Sequence, residues 1–144
     1  MEKNQFIAQD ANEMHLCGQQ IAHHIISPSV IYLNGDLGAG KTTLVQGILQ
    51  FFDYQEVVSS PSYNLIHQYP TKHFDIAHLD LYRLDNPEEI TMLGLADLLS
   101  SKSILFVEWP EKGEGYLPQA DMIIDITYQT MPNVGRVIEV EFLH

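Results

Sequence analysis

An α/β fold, built as a three-layer α/β/α sandwich on a mixed sheet, is predicted by three features of this chain. An apolar run, Val30-Ile31-Tyr32-Leu33, passes through a glycine-rich loop into an amphipathic helix, the order in which a sheet strand is followed by its covering helix. A second run, Ile104-Leu105-Phe106-Val107, is apolar at every position and so reads as a central strand buried on both faces. Two further pairs of strand-like segments are each joined by a short turn, which adds antiparallel hairpins and makes the sheet mixed.

Taken in order, the first element is a helix. Asp10 stands as its N-cap, with Glu13 three residues on as the partner that reaches back. Met14, Leu16, Cys17, Ile21, Ala22, Ile25 and Ile26 follow at mostly helical spacing, and Ser27-Pro28-Ser29 stops the run. After the strand at 30–33, the residues Leu44, Val45, Ile48, Leu49 and Phe52 mark one face of a helix that starts at Lys41. Residues 63–69 and 74–82 read as strands on either side of a turn at Pro70-Thr71-Lys72. Asp85-Asn86 then caps another helix. Pro87 suits its first turn, Glu88 and Glu89 sit at the positive end of its dipole, and Ile90, Leu93, Leu95 and Leu98 mark its buried side. The strand at 104–107 ends at Glu108, and residues 122–128 and 136–142 alternate around Pro132-Asn133 as a closing hairpin. No repeat or linker interrupts the series, so residues 1–144 are expected to form one domain.

Charge narrows the function. Lys and Arg number 7 against 19 Asp and Glu, a formal net charge of −12, opposite in sign to what capture of a phosphate backbone needs. Direct, tight binding of nucleic acid is therefore not expected. The single cysteine, Cys17, excludes an internal disulfide and fits a reducing compartment. No stretch approaches the roughly 18 consecutive apolar residues of a membrane span, and Met1-Glu2-Lys3-Asn4-Gln5 lacks the order of a signal peptide. A cytoplasmic protein without membrane attachment is expected. The histidines show no metal-ligand spacing and read as surface residues.

Chemistry is concentrated at Gly35-Asp36-Leu37-Gly38-Ala39-Gly40-Lys41-Thr42, a complete phosphate-binding loop between strand and helix. Its glycines reach torsions that other residues resist, so successive amide N–H groups turn onto phosphate oxygens, and the following helix adds its positive end. Lys41 reaches the β and γ phosphates of ATP, the Thr42 hydroxyl ligates Mg²⁺, and Thr43 can hydrogen-bond the α phosphate. The fold is thus of P-loop NTPase type. Lys41 is read as solvated for this role and dispensable to the core.

Magnesium in such sites is also held by a carboxylate at the end of an apolar strand, and Glu108 and Asp80 are the two candidates. If both converge on the phosphates, one can serve the metal and the other orient the attacking water. Trp109 adjoins Glu108. Ser59-Ser60-Pro61-Ser62-Tyr63 would, beside the γ phosphate, sense it as a switch does. A small-molecule kinase would need an arginine-rich lid, and the only arginines are Arg83 and Arg136; a GTPase would need an Asn-Lys-x-Asp segment, which is lacking. Slow turnover by the isolated chain follows from the same shortage of arginine. Arg136 is a candidate for stacking on adenine.

Gly-Asp-Leu-Gly-Ala-Gly-Lys-Thr-Thr at 35–43, Ser60-Pro61-Ser62-Tyr63, His78-Leu79-Asp80-Leu81-Tyr82-Arg83-Leu84 and Val107-Glu108-Trp109-Pro110 resemble, in order and spacing, the motifs of the bacterial TsaE (YjeE) family. The likeness covers nearly the whole chain. It implies an ATPase needed to make threonylcarbamoyladenosine in tRNA, acting on a complex of the TsaD and TsaB proteins, with tRNA met only through that complex. It also implies that Thr42 and Glu108 bind Mg²⁺ and that Asp80 is the water-activating or second metal-side acid. Trp109 would flank the active site, and Ser60, Pro61, Ser62 and Tyr63 would form a mobile switch. Two departures stand out: Met14 and Ser62 each occupy a place where the family commonly has Thr.

Overall fold

A computed structural model of the chain describes residues 2–36, 38–54, 65–95, 99–130 and 134–143. Its elements run β1 (Glu2–Ala8), α1 (Ala11–Ala22), β2 (Ser29–Asn34), α2 (Lys41–Phe51), β3 (Ile66–Pro70), β4 (Asp75–Asp80), β5 (Ser103–Glu108), β6 (Met122–Gln129) and β7 (Gly135–Phe142). Two 3₁₀ helices, Pro87–Leu93 and Pro110–Gly113, stand before and after β5.

The strands form one 7-stranded sheet in the order β1-β7-β6-β2-β5-β4-β3. Its centre is parallel, β6-β2-β5-β4, and both flanks are antiparallel, β6-β7-β1 on one side and β4-β3 on the other. The mixed sheet and both expected hairpins are therefore present, the turn at 132–133 lying outside the described residues. Register, more than strand order, positions the functional residues. Leu33 pairs with Glu108, Glu108 with Asp80, and Asn34 with Asp125, so the carboxyl ends of β2, β5 and β4 finish level beside the loop that leaves β2, while β6 runs on past Asp125 to Gln129. In open sheets of this kind that edge is where ligands bind.

One face of the sheet is packed by α1 and α2 over Ile31, Leu33, Phe106, Ile124 and Ile138. The other holds a smaller core, Val30, Ala77, Leu79, Leu105 and Val107, beneath Leu81, Leu84, Ile90, Leu95 and Trp109. Among the described residues that second layer includes the two 3₁₀ helices and Leu95, which is helical. The segment expected as an α-helix after Asn86 is the 3₁₀ helix Pro87–Leu93, capped by the Asn86 side chain and ended by Gly94 in the left-handed conformation. A glycine there ends the 3₁₀ turn; beyond it Leu95 is helical, its carbonyl accepting from the Leu99 amide at 3.1 Å, and Leu98 of the expected helix lies outside the described residues.

Strand β1 has no counterpart in the sequence reading. Its local pattern is weak, and pairing with β7 from Glu2↔Phe142 to Ala8↔Arg136 is what makes it a strand. Helix α1 begins as expected: the Glu13 amide donates to Asp10 Oδ1 at 2.8 Å, and Glu13 Oε1 accepts from the Gln9 amide at 2.7 Å. It ends earlier, at Ala22, and Leu16 and Ile26 are exposed, because the buried stripe is Met14, Cys17, Gly18, Ile21 and Ala22.

Where the two helices cross, their backbones touch. A Cβ on Gly18 would lie 2.3 Å from the Leu44 carbonyl oxygen, and one on Gly47 would lie 2.1 Å from that of His15. In an isolated helix Gly47→Ala would stabilise by about 0.5–1 kcal/mol. Here the clash reverses the sign: overpacking of about 1–3 kcal/mol should lower the Tm by roughly 3–10 °C. Thermal unfolding of the variant checks this, and a Tm equal to or above that of the wild type would mean that the crossing yields without cost.

Candidate nucleotide-binding site

From Asn34 the chain turns through Gly35 into the loop and enters α2 at Lys41. Gly38 and Gly40 hold φ of 80° and 105°, values that a side chain resists. Gly40 is the N-cap of α2 and lends it no side-chain bond, so the first turn presents its amides to an anion rather than to a capping residue. Leu37 and the proposed switch residues Ser60, Pro61, Ser62 and Tyr63 lie outside the described residues.

Lys41 is not solvated, as its sequence context suggested, but only 6% exposed. A buried ammonium needs partners. Its Nζ donates to the Gly35 carbonyl at 2.7 Å, stands 3.2 Å from Glu108 Oε1 and lies 4.6 Å from the centre of the Trp109 ring. Glu108 is itself buried at 2%, and its other oxygen, Oε2, meets His78 Nε2 at 2.5 Å. His78 corrects the reading of the histidines as surface residues: it is 1% exposed in the middle of β4. The signal was available, since a histidine embedded in the strand Asp75–Asp80, whose Ile76, Ala77 and Leu79 are all buried, has to find a polar partner inside. Side chains alternate along a strand, so His78, Asp80 and, through the pairing Asp80↔Glu108, Glu108 share one face of the sheet, the face that α2 covers.

The two carboxylates are pushed in opposite directions. Burial lifts half-buried Asp80 above the ordinary carboxylate range and the charge of Glu108 adds to it, against the Tyr82 amide that donates to its Oδ1 at 3.0 Å and the nearby His78 and Lys41. Burial pushes Glu108 upward too. The hydrogen bond and attraction of His78, with the attraction of Lys41, outweigh that and hold Glu108 below the ordinary range. Adjacent acids split in this way are equipped for different work, one fixed as an anion and the other readier to take a proton.

Trp109 follows directly, with φ 57° and ψ 50°, a left-handed conformation costing about 1–3 kcal/mol in a residue with a side chain. That turn lays its ring beside Lys41 and 5.1 Å from Tyr82. Among the described residues its buried Nε1 has no hydrogen-bond partner. Arg136 comes in from β7: its Nε donates to the Ala39 carbonyl at 3.1 Å, and its guanidinium lies 4.5 Å from the centre of the Tyr128 ring.

Two cavities open beside Arg136. The larger, about 880 Å³, borders Gly35, Asp36, Trp109, Glu111, Asp125 and Tyr128. The smaller, about 260 Å³, lies between the starts of α1 and α2 against Asp10, Met14, Gly40 and Thr43. No cluster of three or more His, Cys, Asp or Glu suited to a metal occurs among the described residues. A hard cation here would rest on Thr42, Glu108 and phosphate oxygens, the arrangement Mg²⁺ favours over a cage of protein ligands. No helix among the described residues is long and apolar enough to cross a membrane.

A family model described as "Threonylcarbamoyl adenosine biosynthesis protein TsaE" matches residues 8–138. The chain is 48% identical over 105 residues to the tRNA threonylcarbamoyladenosine biosynthesis protein TsaE of Haemophilus influenzae, a match covering 73% of this chain and 66% of that protein. It is 38% identical over 113 residues to the TsaE protein of Rickettsia bellii, covering 78% of this chain and 76% of the other. Among solved structures, the Bacillus protein YdiB superposes with a TM-score of 0.81 over 99% of this chain and 87% of its own, at 24% identity, a likeness of fold.

The opposed carboxylates predict opposed effects on stability. Because the folded state raises Asp80, its ionised form is a penalty at neutral pH, relieved as the pH falls and the carboxyl takes up its proton. Asp80→Asn keeps the oxygen that Tyr82 needs and should raise the Tm by a few degrees at pH 7, with the gain closing in the acid range. Glu108 is lowered by folding, so it stabilises above its unfolded pKa and loses that contribution as the pH falls through its folded value. Glu108→Gln should therefore lower the Tm at pH 7, with the deficit also closing in acid. Melting curves from pH 7 down to about 4 test both signs, and shifts in the same direction would contradict the opposition of the two acids.

Proposed function

The chain belongs to the TsaE family, and from that membership we propose that it is a Mg²⁺-dependent ATPase required for threonylcarbamoyladenosine modification of tRNA, acting on the TsaD–TsaB complex in the cytoplasm. One observation carries the catalytic half of this reading: Lys41, Glu108 and Asp80 meet at the level end of three sheet strands, directly behind a phosphate-binding loop.

Lys41 starts from a position between Gly35 and Glu108 and exchanges the Glu108 oxygen for the β and γ phosphates of ATP. That exchange releases Glu108 Oε1, and it and the Thr42 hydroxyl are the two groups that would hold Mg²⁺. The cation, when bound, neutralises charge on the β and γ oxygens. Asp80, the acid readier to take a proton, orients the attacking water and receives its proton. Trp109 shields the Lys41 side of the site from solvent. Thr43 and Gly40 stand at the α phosphate end, so the small cavity beside them suits the adenosine. Arg136, already bound to Ala39 and stacked on Tyr128, borders that cavity as a wall.

Two further features fit a partner-dependent enzyme. Arg136 is tied to a loop carbonyl and Arg83 is exposed, which leaves an arginine over the γ phosphate to come from a partner. Such a group, when a partner supplies it, is worth about 10³ to 10⁵ in rate. A net charge of −12 also disfavours contact with tRNA except through other proteins.

The test is ATP turnover by the chain alone and with TsaD, TsaB and tRNA. Slow hydrolysis alone and a large increase with the complex are expected. Nucleotide binding without turnover in either setting would instead mark a nucleotide-gated scaffold. Within the enzyme reading, Asp80→Asn should lower kcat by about 10²- to 10⁴-fold with ATP affinity little changed. Lys41→Ala should weaken ATP binding itself. The emission of Trp109, the sole tryptophan, should respond to ATP with Mg²⁺, and a spectrum unmoved by saturating nucleotide would remove Trp109 from the site.

A further inference from the structure

Glu108 is held at both ends, by Lys41 on Oε1 and by His78 on Oε2. The two anchors differ in kind. Lys41 belongs to the phosphate-binding loop and leaves Glu108 when phosphate arrives, whereas His78 sits inside β4, one strand away, with no route out. Its ring lies 6.4 Å from that of Phe106, edge to face, and Phe106 is its partner in the β4–β5 ladder. Imidazole is also an expensive choice at this place. With 1% exposure and no partner for Nδ1 among the described residues, half of its hydrogen-bonding capacity is buried unused. An apolar side chain of similar size would serve packing better. What only the imidazole supplies is the hydrogen bond to Glu108.

Resting on the Mg²⁺·ATP reading of the site, we propose that His78 is a positioning residue: it fixes the Glu108 carboxylate so that Oε1 keeps facing the phosphate-binding loop after Lys41 has moved to the phosphates. Without it, a glutamate released by Lys41 would turn about its three side-chain torsions, and the metal-side oxygen would be lost when it is needed. Groups that orient a metal ligand from behind affect metal affinity by about 10- to 100-fold.

Three variants and a binding measurement decide the matter. His78→Leu removes the bond and keeps the volume, His78→Gln places an amide nitrogen at nearly the reach of Nε2, and His78→Asn carries the same amide but falls short. The affinity of each for a non-hydrolysable ATP analogue is measured by calorimetry with and without Mg²⁺, alongside its Tm. The wild type should bind more tightly with Mg²⁺. His78→Leu and His78→Asn should keep the Mg²⁺-free affinity and lose about 10-fold or more of the Mg²⁺-dependent gain, and His78→Gln should recover most of it. Should His78→Leu fail to fold, the contrast between Gln and Asn carries the test. A full Mg²⁺-dependent gain in His78→Leu or His78→Asn, or equal losses in Gln and Asn, overturns the proposal. A wild type that binds the analogue with a Mg²⁺ gain yet never turns over ATP removes the ATPase reading alone, since the same titrations still judge His78. A wild type that binds no nucleotide overturns both.

Discussion

A lysine ammonium at 6% exposure, with a carboxylate at 2% as its counter-charge, is the constraint around which this molecule is arranged. Burying the two without each other and without further hydrogen bonds would be prohibitive. The Glu108 carboxylate therefore has to arrive within about 3 Å of Lys41, which the register of β2 against β5 achieves by pairing Leu33 with Glu108 one residue before the loop begins. The other end of the pair depends on α2. The close crossing of Gly18 and Gly47 lets α2 lie flat against α1 and the sheet, and so sets where Lys41 enters the site.

The same pairing decides how the neighbouring acid behaves. Glu108 takes both nitrogen partners, Lys41 and His78, and Asp80, level with it on the next strand, receives burial and the repulsion of Glu108. The opposite shifts of the two acids are thus a property of their surroundings and not of their residue types. Read from the residues alone, both acids are strand-end carboxylates with either duty open; it is the family resemblance that implies Mg²⁺ for Glu108 and the water or a second metal-side place for Asp80.

Features written in local pattern were legible: the glycine loop with its flanking strand and helix, the Asp10 cap, both hairpins, and the run at 104–107 that ends in Glu108. Features that depend on distant pairing were not. Nothing in Glu2–Ala8 announces a strand until β7 is beside it, and nothing in Gly18 or Gly47 announces a backbone contact until the helices cross. The burial of Lys41 and the partnership of His78 with Glu108 share this origin, since each spans tens of residues and becomes visible only once β4, β5 and α2 are assembled. The first part of the α-helix expected after Asn86 is a 3₁₀ helix instead, for a local reason, a glycine at 94 that closes the turn.

The bond from Arg136 to the Ala39 carbonyl joins β7 to the middle of the phosphate-binding loop. Strand β7 is in turn zipped along its length to β1 and β6. Fraying of that terminal hairpin therefore cannot stay local: as β7 peels away, the loop loses a tether and the wall of both cavities goes with it. In the language of hydrogen exchange, such a tether would make the loop and the terminal hairpin open together although about 100 residues of chain separate them. The shape of the loop is thus tied to the stability of strands that lie outside it.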